Sequence, residues 1–190
     1  MAEMTEYTAD QIVAVDESAA NERTRDRKFG WSPQGVPCRV RLPGRRTERW
    51  SILPALTVDG WLDYELHQGS FDAERFEAFI ERVLEHMNPF PQRHSVLLLD
   101  NASIHHSERV TTTCREKGVI MAFLPPYAPD FNPIEIAFHE LKEWMRRHRE
   151  TGYQYSENFD MFIRLAMEQV CEPATARAYL RACGYGDPVD

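Results

Sequence analysis

The stretch LPPYAPDFNPIE, Leu124 to Glu135, constrains the fold more than any other part of the chain. Pro125, Pro126, Pro129 and Pro133 each fix φ and remove a backbone donor, and each confines the residue before it to extended geometry. Neither a strand nor a helix runs through such a segment, so the chain must turn here. Before it, VIMAFL reads as a strand. After it, Pro133 suits the first turn of a helix that runs to about Arg149 at helical spacing. A stiff corner therefore carries an acid, Glu135, at its far end, and the rest of the chain decides which other groups that acid can meet.

Elsewhere the apolar pattern alternates between strand and helix. QIVAVDES, Gln11 to Ser18, has a β-branched core followed by acids and reads as a buried strand emerging at Asp16. Strands are expected near residues 38 to 42, 49 to 58 and 61 to 68, the last two joined at Asp59-Gly60 in a hairpin. Ser70 or Asp72 caps a helix with Phe76, Phe79, Ile80, Val83, Leu84 and Met87 on one face. HSVLLLDNAS is a continuous apolar run ending in Asp100, the pattern of a strand covered on both faces. Ser107 to Lys117 reads as a helix stopped by Gly118, and ENFDMFIRLAMEQV and PATARAYLRACGY as two more helices. The expected fold is mixed α/β: a three-strand antiparallel meander continued by parallel strands, flanked by helices. Residues 1–150 are expected to form the main domain and 151–190 a helical tail packed on it.

A chain of 190 residues with 43% hydrophobic and 27% charged residues suits one globular domain. No apolar run approaches membrane-spanning length and MAEMTEYTADQ lacks the pattern of a secretion signal. The expectation is therefore an intracellular protein with no membrane partner, in the nucleus if the source is eukaryotic and otherwise in the cytoplasm. Cys38, Cys114, Cys171 and Cys183 are too scattered for a zinc module or a disulfide framework. A net charge of −8 disfavours a polyanionic partner, but the mean conceals nine basic residues between Arg23 and Arg49, against Asp26 and Glu48. Arg41, Arg45 and Arg46 belong to that run, and Lys142 to a smaller group with Arg146, Arg147 and Arg149. Either group reads equally as a solvated face or as a phosphate-binding surface.

Ligands in open α/β sheets gather beyond the carboxyl ends of the strands, where Asp16 and Asp100 are both expected. If their strands are neighbours, Glu135 can close a group of three carboxylates, whose repulsion requires cations to neutralise it. Oxygen ligands favour Mg²⁺ or Mn²⁺. Two such ions about 4 Å apart suit phosphoryl transfer on nucleic acid. A plainer reading stands beside this one. Either aspartate alone can serve a turn, and Asn132, Pro133 and Glu135 form N-x-x-E, close to a capping box that serves only the helix.

LLLDNASIHHSERV followed by LPPYAPDFNPIEIAFHELK resembles the catalytic domain of mariner-like DNA transposases, DDE superfamily endonucleases with a ribonuclease-H-like fold. The resemblance runs from about Ile12 to Arg149 and includes the 34 residues between Asp100 and Glu135; AYLRACGY is similar to the family's close. It implies a catalytic and metal-binding triad of Asp16, Asp100 and Glu135, with Asn101, His105 and Asn132 supporting it and Lys142 reaching a phosphate. It also implies metal-dependent cleavage at transposon ends and attack of the released 3′-hydroxyl on target DNA. Arg41, Arg45 and Arg46 become candidate DNA contacts, and a second copy of the chain or a full-length transposase a candidate partner. Fifteen residues precede Asp16, too few for the family's helix-turn-helix modules, so a catalytic domain by itself is expected. The alternatives are a catalytically silent remnant that binds DNA or a full-length transposase, and a general ribonuclease-H-like nuclease.

Overall fold

The computed structural model describes residues 7–26, 30–39, 48–101, 107–126 and 128–186. Its centre is a six-stranded mixed sheet. The strands are β1 (Ile12–Val15), β2 (Ser18–Ala20), β3 (Trp50–Thr57), β4 (Gly60–Gln68), β5 (Val96–Leu99) and β6 (Ile120–Phe123). β4 pairs antiparallel with one edge of β3, while β1 and β2 together occupy the other. β5 then pairs parallel with β1, and β6 parallel with β5. The expected mixed α/β architecture, an antiparallel meander continued by parallel strands, is the one observed.

The start of the meander differs from expectation. The strand expected near residues 38–42 is not seen at Cys38 and Arg39, which have no regular structure, and 40–42 lie outside the described residues. Its place is taken by the β1–β2 line, so the chain does not leave the sheet at Asp16. It pauses there and pairs again at Ser18 with Ile52. Carried through the gap between Val15↔Ala55 and Ser18↔Ile52, the register sets Asp16 opposite Pro54, which has no N–H to give to a ladder. A pause at this point frees Asp16 from regular pairing in the middle of a long strand line.

Alternation along the strands divides the core into two layers. Val13, Val15, Leu53, Ala55, Leu97 and Leu99 pack against α1 (Ala73–Glu85) and α2 (Glu108–Lys117). Ile12, Ala14, Ile52, Leu56, Val96 and Leu98 pack in the layer that holds α3 (Pro133–Arg147), α5 (Phe159–Gln169) and α6 (Pro173–Ala182). A short α4 (Arg149–Gln154), not foreseen, follows α3. Local chemistry sets the helix ends: Asp72 accepts from the Arg75 N–H, and Gly118 closes α2 in the left-handed region at φ 71°. Among the described residues no helix is long and apolar enough to cross a membrane.

Candidate active site

β1 and β5 run parallel and in register, with Val15 opposite Leu99. The residues that follow them are Asp16 and Asp100, so the sheet sets two carboxylates side by side at its carboxyl edge. The chain leaves β6 through Leu124, crosses the proline corner with a 3-10 turn at Pro129–Phe131, and enters α3 at Pro133. Glu135, exposed and in the first turn of α3, comes back over the same edge. Asp16, Asp100, Asn101, Asn132 and Glu135 all line one cleft of about 480 Å³, whose remaining wall is made by the corner, including Pro125, Pro126 and Pro129.

Asp16 and Asn132 are the buried members of this group, 9% and 3% exposed. Each oxygen of Asp16 has a donor: the Glu17 N–H to Oδ1 at 2.7 Å and the Asn132 carboxamide, through Nδ2, to Oδ2 at 2.8 Å. These bonds favour the anion, yet burial and the neighbouring charges of Asp100 and Glu135 outweigh them and raise the carboxyl to about 7. The cleft thus concentrates negative charge to the point where one acid tends to hold its proton near neutrality.

The bond from Asn132 bears on the capping reading of the corner. Asn132 makes no side-chain cap on α3, and no capping box forms with Glu135. Its carboxamide is turned instead to a partner 116 residues earlier. Position alone favoured a cap, because Asn before Pro at a helix start is ordinary capping chemistry; the tertiary approach of β1 redirects it.

Lys142 lies two turns along α3 from Glu135 and outside the lining of the cleft, its Nζ 6.0 Å from the Phe138 ring centre. Burial lowers its pKa, with Glu135 opposing that shift and Arg146 adding to it. Arg41, Arg45, Arg46 and His105 lie outside the described residues. Tyr185, which sequence reasoning did not single out, donates from its hydroxyl to the Phe131 carbonyl at 3.1 Å and so touches the corner from the tail.

The donor set fits a hard divalent cation in type: carboxylate oxygens in one cleft, one of them costly to ionise without a positive neighbour. Among the described residues no group of three or more His, Cys, Asp or Glu side chains is already gathered at ion-binding spacing. The acids share a cleft without being drawn together, as mutual repulsion favours.

No curated protein matches the chain by sequence. Solved structures do match in fold. A pre-cleavage Mos1 transpososome aligns over 93% of this chain and 56% of its own, at 19% identity and TM-score 0.60. A Mos1 mariner paired-end complex with Mn aligns over the same shares, 93% and 56%, at 19% identity and TM-score 0.58. The catalytic domain of Mos1 mariner transposase aligns over 95% of this chain and 85% of its own, at 17% identity and TM-score 0.52. The chain thus spans a little over half the length of the longer Mos1 chains. The sequence profile described as DDE superfamily endonuclease matches residues 11–155, a span that contains β1, β5, the corner and all three acids of the cleft. By that match the chain belongs to the DDE superfamily endonucleases.

Proposed function

We propose that the chain is a transposase-type catalytic domain that cleaves DNA strands and joins a released 3′-hydroxyl to target DNA, with Asp16, Asp100 and Glu135 holding two Mg²⁺ or Mn²⁺ ions. The observation that carries the reading is the parallel register of β1 and β5, which sets Asp16 beside Asp100, with Glu135 on the same cleft. Such ions supply activation of a water or 3′-hydroxyl and stabilisation of the leaving oxygen. Half-buried Asp100 and exposed Glu135 provide two carboxylates of the site, and Asp16 the buried one. Asn132 holds one oxygen of Asp16 and the Glu17 N–H the other, so the carboxylate plane is set before any ligand arrives. The prolines of the corner restrict the backbone that leads to Glu135 in the first turn of α3. Lys142, farther down α3 and outside the cleft lining, would contact a phosphate only of a strand that continues past the cleft along that helix.

Nicking of supercoiled DNA by the purified chain in Mn²⁺ tests the reading. Wild type should convert supercoiled to open-circular plasmid, and Asp100→Asn should not. A chain that retards DNA in a salt-dependent way without nicking it in Mn²⁺ or Mg²⁺ is the silent remnant instead.

A further inference from the structure

The 3-10 turn Pro129–Phe131 places Asn132 and Glu135, yet none of its own residues is buried. Phe131 itself is 36% exposed, so its ring does not anchor the turn. What grips the turn from beneath is the tail. After α6 the chain reverses at Gly184, φ 92°, where the Gly184 and Tyr185 N–H groups return to the carbonyls of Arg181 and Leu180. That reversal buries Tyr185 to 1% exposure and brings its hydroxyl to the Phe131 carbonyl. The next residue, Gly186, accepts from the Ala9 N–H at 2.7 Å and bridges Thr8, just ahead of β1. Two consecutive tail residues therefore join the approach to β1 to the corner that precedes α3.

We propose that Tyr185 is a positioning residue of the cleft: its hydroxyl holds the Phe131 carbonyl, and through the adjoining Asn132 fixes the approach of the corner to Asp16. The proposal rests on the functional reading above for its consequence but not for its geometry. Tyr185 lies beyond residue 155, where the family match ends, so the working unit extends past the matched span. Burial and nearby Cys183 keep the phenol protonated and thus a donor at any pH near neutrality. The two bonds sit on successive residues, Tyr185 on the carbonyl of Phe131 and Asp16 on the side chain of Asn132. Losing the first removes a tertiary bond beside the second and leaves the turn its own backbone bonds and the bond to Asp16.

Tyr185→Phe removes the hydroxyl and keeps the ring. Tyr179→Phe is the matched control, because the buried Tyr179 hydroxyl on α6 has no hydrogen-bond partner among the described residues. The first measurement needs neither metal nor activity: hydrogen exchange of the Asn132 side-chain carboxamide by ¹⁵N NMR. Tyr185→Phe should lose roughly five- to tenfold of that protection, the equivalent of about one hydrogen bond, while Tyr179→Phe matches wild type. Mn²⁺ affinity measured by electron paramagnetic resonance should fall by a similar factor, and kcat for nicking should drop with KM for DNA unchanged. Wild-type protection of Asn132 in Tyr185→Phe overturns the proposal, as does equal loss in both variants, which marks general loosening. If wild type neither nicks nor binds Mn²⁺, the functional reading fails while the exchange comparison still decides the role of Tyr185.

Discussion

Burial, Asp100 and Glu135 together hold the Asp16 carboxyl near 7, against an ordinary value of 3.8, and that shift has a sign that can be measured. Between those two values the folded protein binds a proton that the unfolded chain has released. Metal-free stability should therefore be greatest at the acid end of this window, fall as pH rises through it, and level off above about 7. The contribution of Asp16 to the fall is at most roughly 4 kcal/mol. Asp16→Asn should flatten the curve and raise the melting temperature at pH 8; thermal unfolding of both proteins without metal at pH 5 to 8 checks this, and parallel curves would contradict it. Substitutions at Asn132 and Glu135 separate orientation from ligation. Asn132→Ala removes a buried bond to Asp16 and should cost about 1 to 3 kcal/mol at pH 8. Glu135→Gln, at an exposed position with no capping role, should leave the unfolding midpoint within about 0.5 kcal/mol while abolishing Mn²⁺-dependent nicking. Nicking by Glu135→Gln at the wild-type rate would remove Glu135 from the site.

The β3–β4 hairpin shows how an element is tied to the tail. Thr57 pairs with Gly60 across a turn of Val58 and Asp59, and Gly60 has φ 104°, a conformation that favours glycine. A Cβ at Gly60 would stand 2.5 Å from the Cys171 carbonyl oxygen, in the connection between α5 and α6. Gly60→Ala should therefore strain the turn and push the tail away, costing about 2 kcal/mol or more in denaturant unfolding. By contrast Asp72→Ala, which affects only the cap of α1, should cost about 1 kcal/mol. A Gly60→Ala penalty no larger than that of the cap would mean that the tail does not press on the hairpin.

At the scale of the molecule, the tail covers one face of the sheet. Phe162, Ile163, Ala166, Met167, Ala176 and Leu180 share a core with Ile12, Ile52, Leu56, Val96 and Leu98. Ending the chain at Tyr155, where the family match stops, would expose that face, and each large side chain released forfeits about 1.5 to 3 kcal/mol. Such a truncation should lose its cooperative thermal transition and bind hydrophobic dye, whereas a sharp transition near that of the full chain would show that the tail is dispensable. Metal acts on the same global equilibrium. Millimolar Mn²⁺ should raise the melting temperature of wild type at pH 8, and Asp100→Asn should lose most of that rise. An equal rise in both would place the ions elsewhere.

Much of this architecture is legible from local pattern. The unbroken apolar run before Asp100 demands a strand covered on both faces, and Val96–Leu99 are buried throughout. The prolines from Pro125 to Pro133 impose a corner before α3, and Ser107 and Gly118 mark the ends of α2, because φ restriction and capping act within a few residues. Asp16 and Asp100 share a cleft with Glu135 because the strands that carry them are parallel neighbours, the condition that the strand-end reading left open. The partner of a side chain across the fold is a different matter. Asn132 carries the sequence marks of a helix cap, and only the arrival of β1 turns it to Asp16. Nothing in IVAVDESAA signals that the chain pauses opposite Pro54 and pairs again; that register belongs to β3, more than thirty residues on. Tyr185 falls within AYLRACGY, but nothing local in that stretch says that its hydroxyl meets the corner. Conformational preference is written residue by residue, whereas hydrogen bonds between distant segments exist only once burial of the two core layers has brought those segments together.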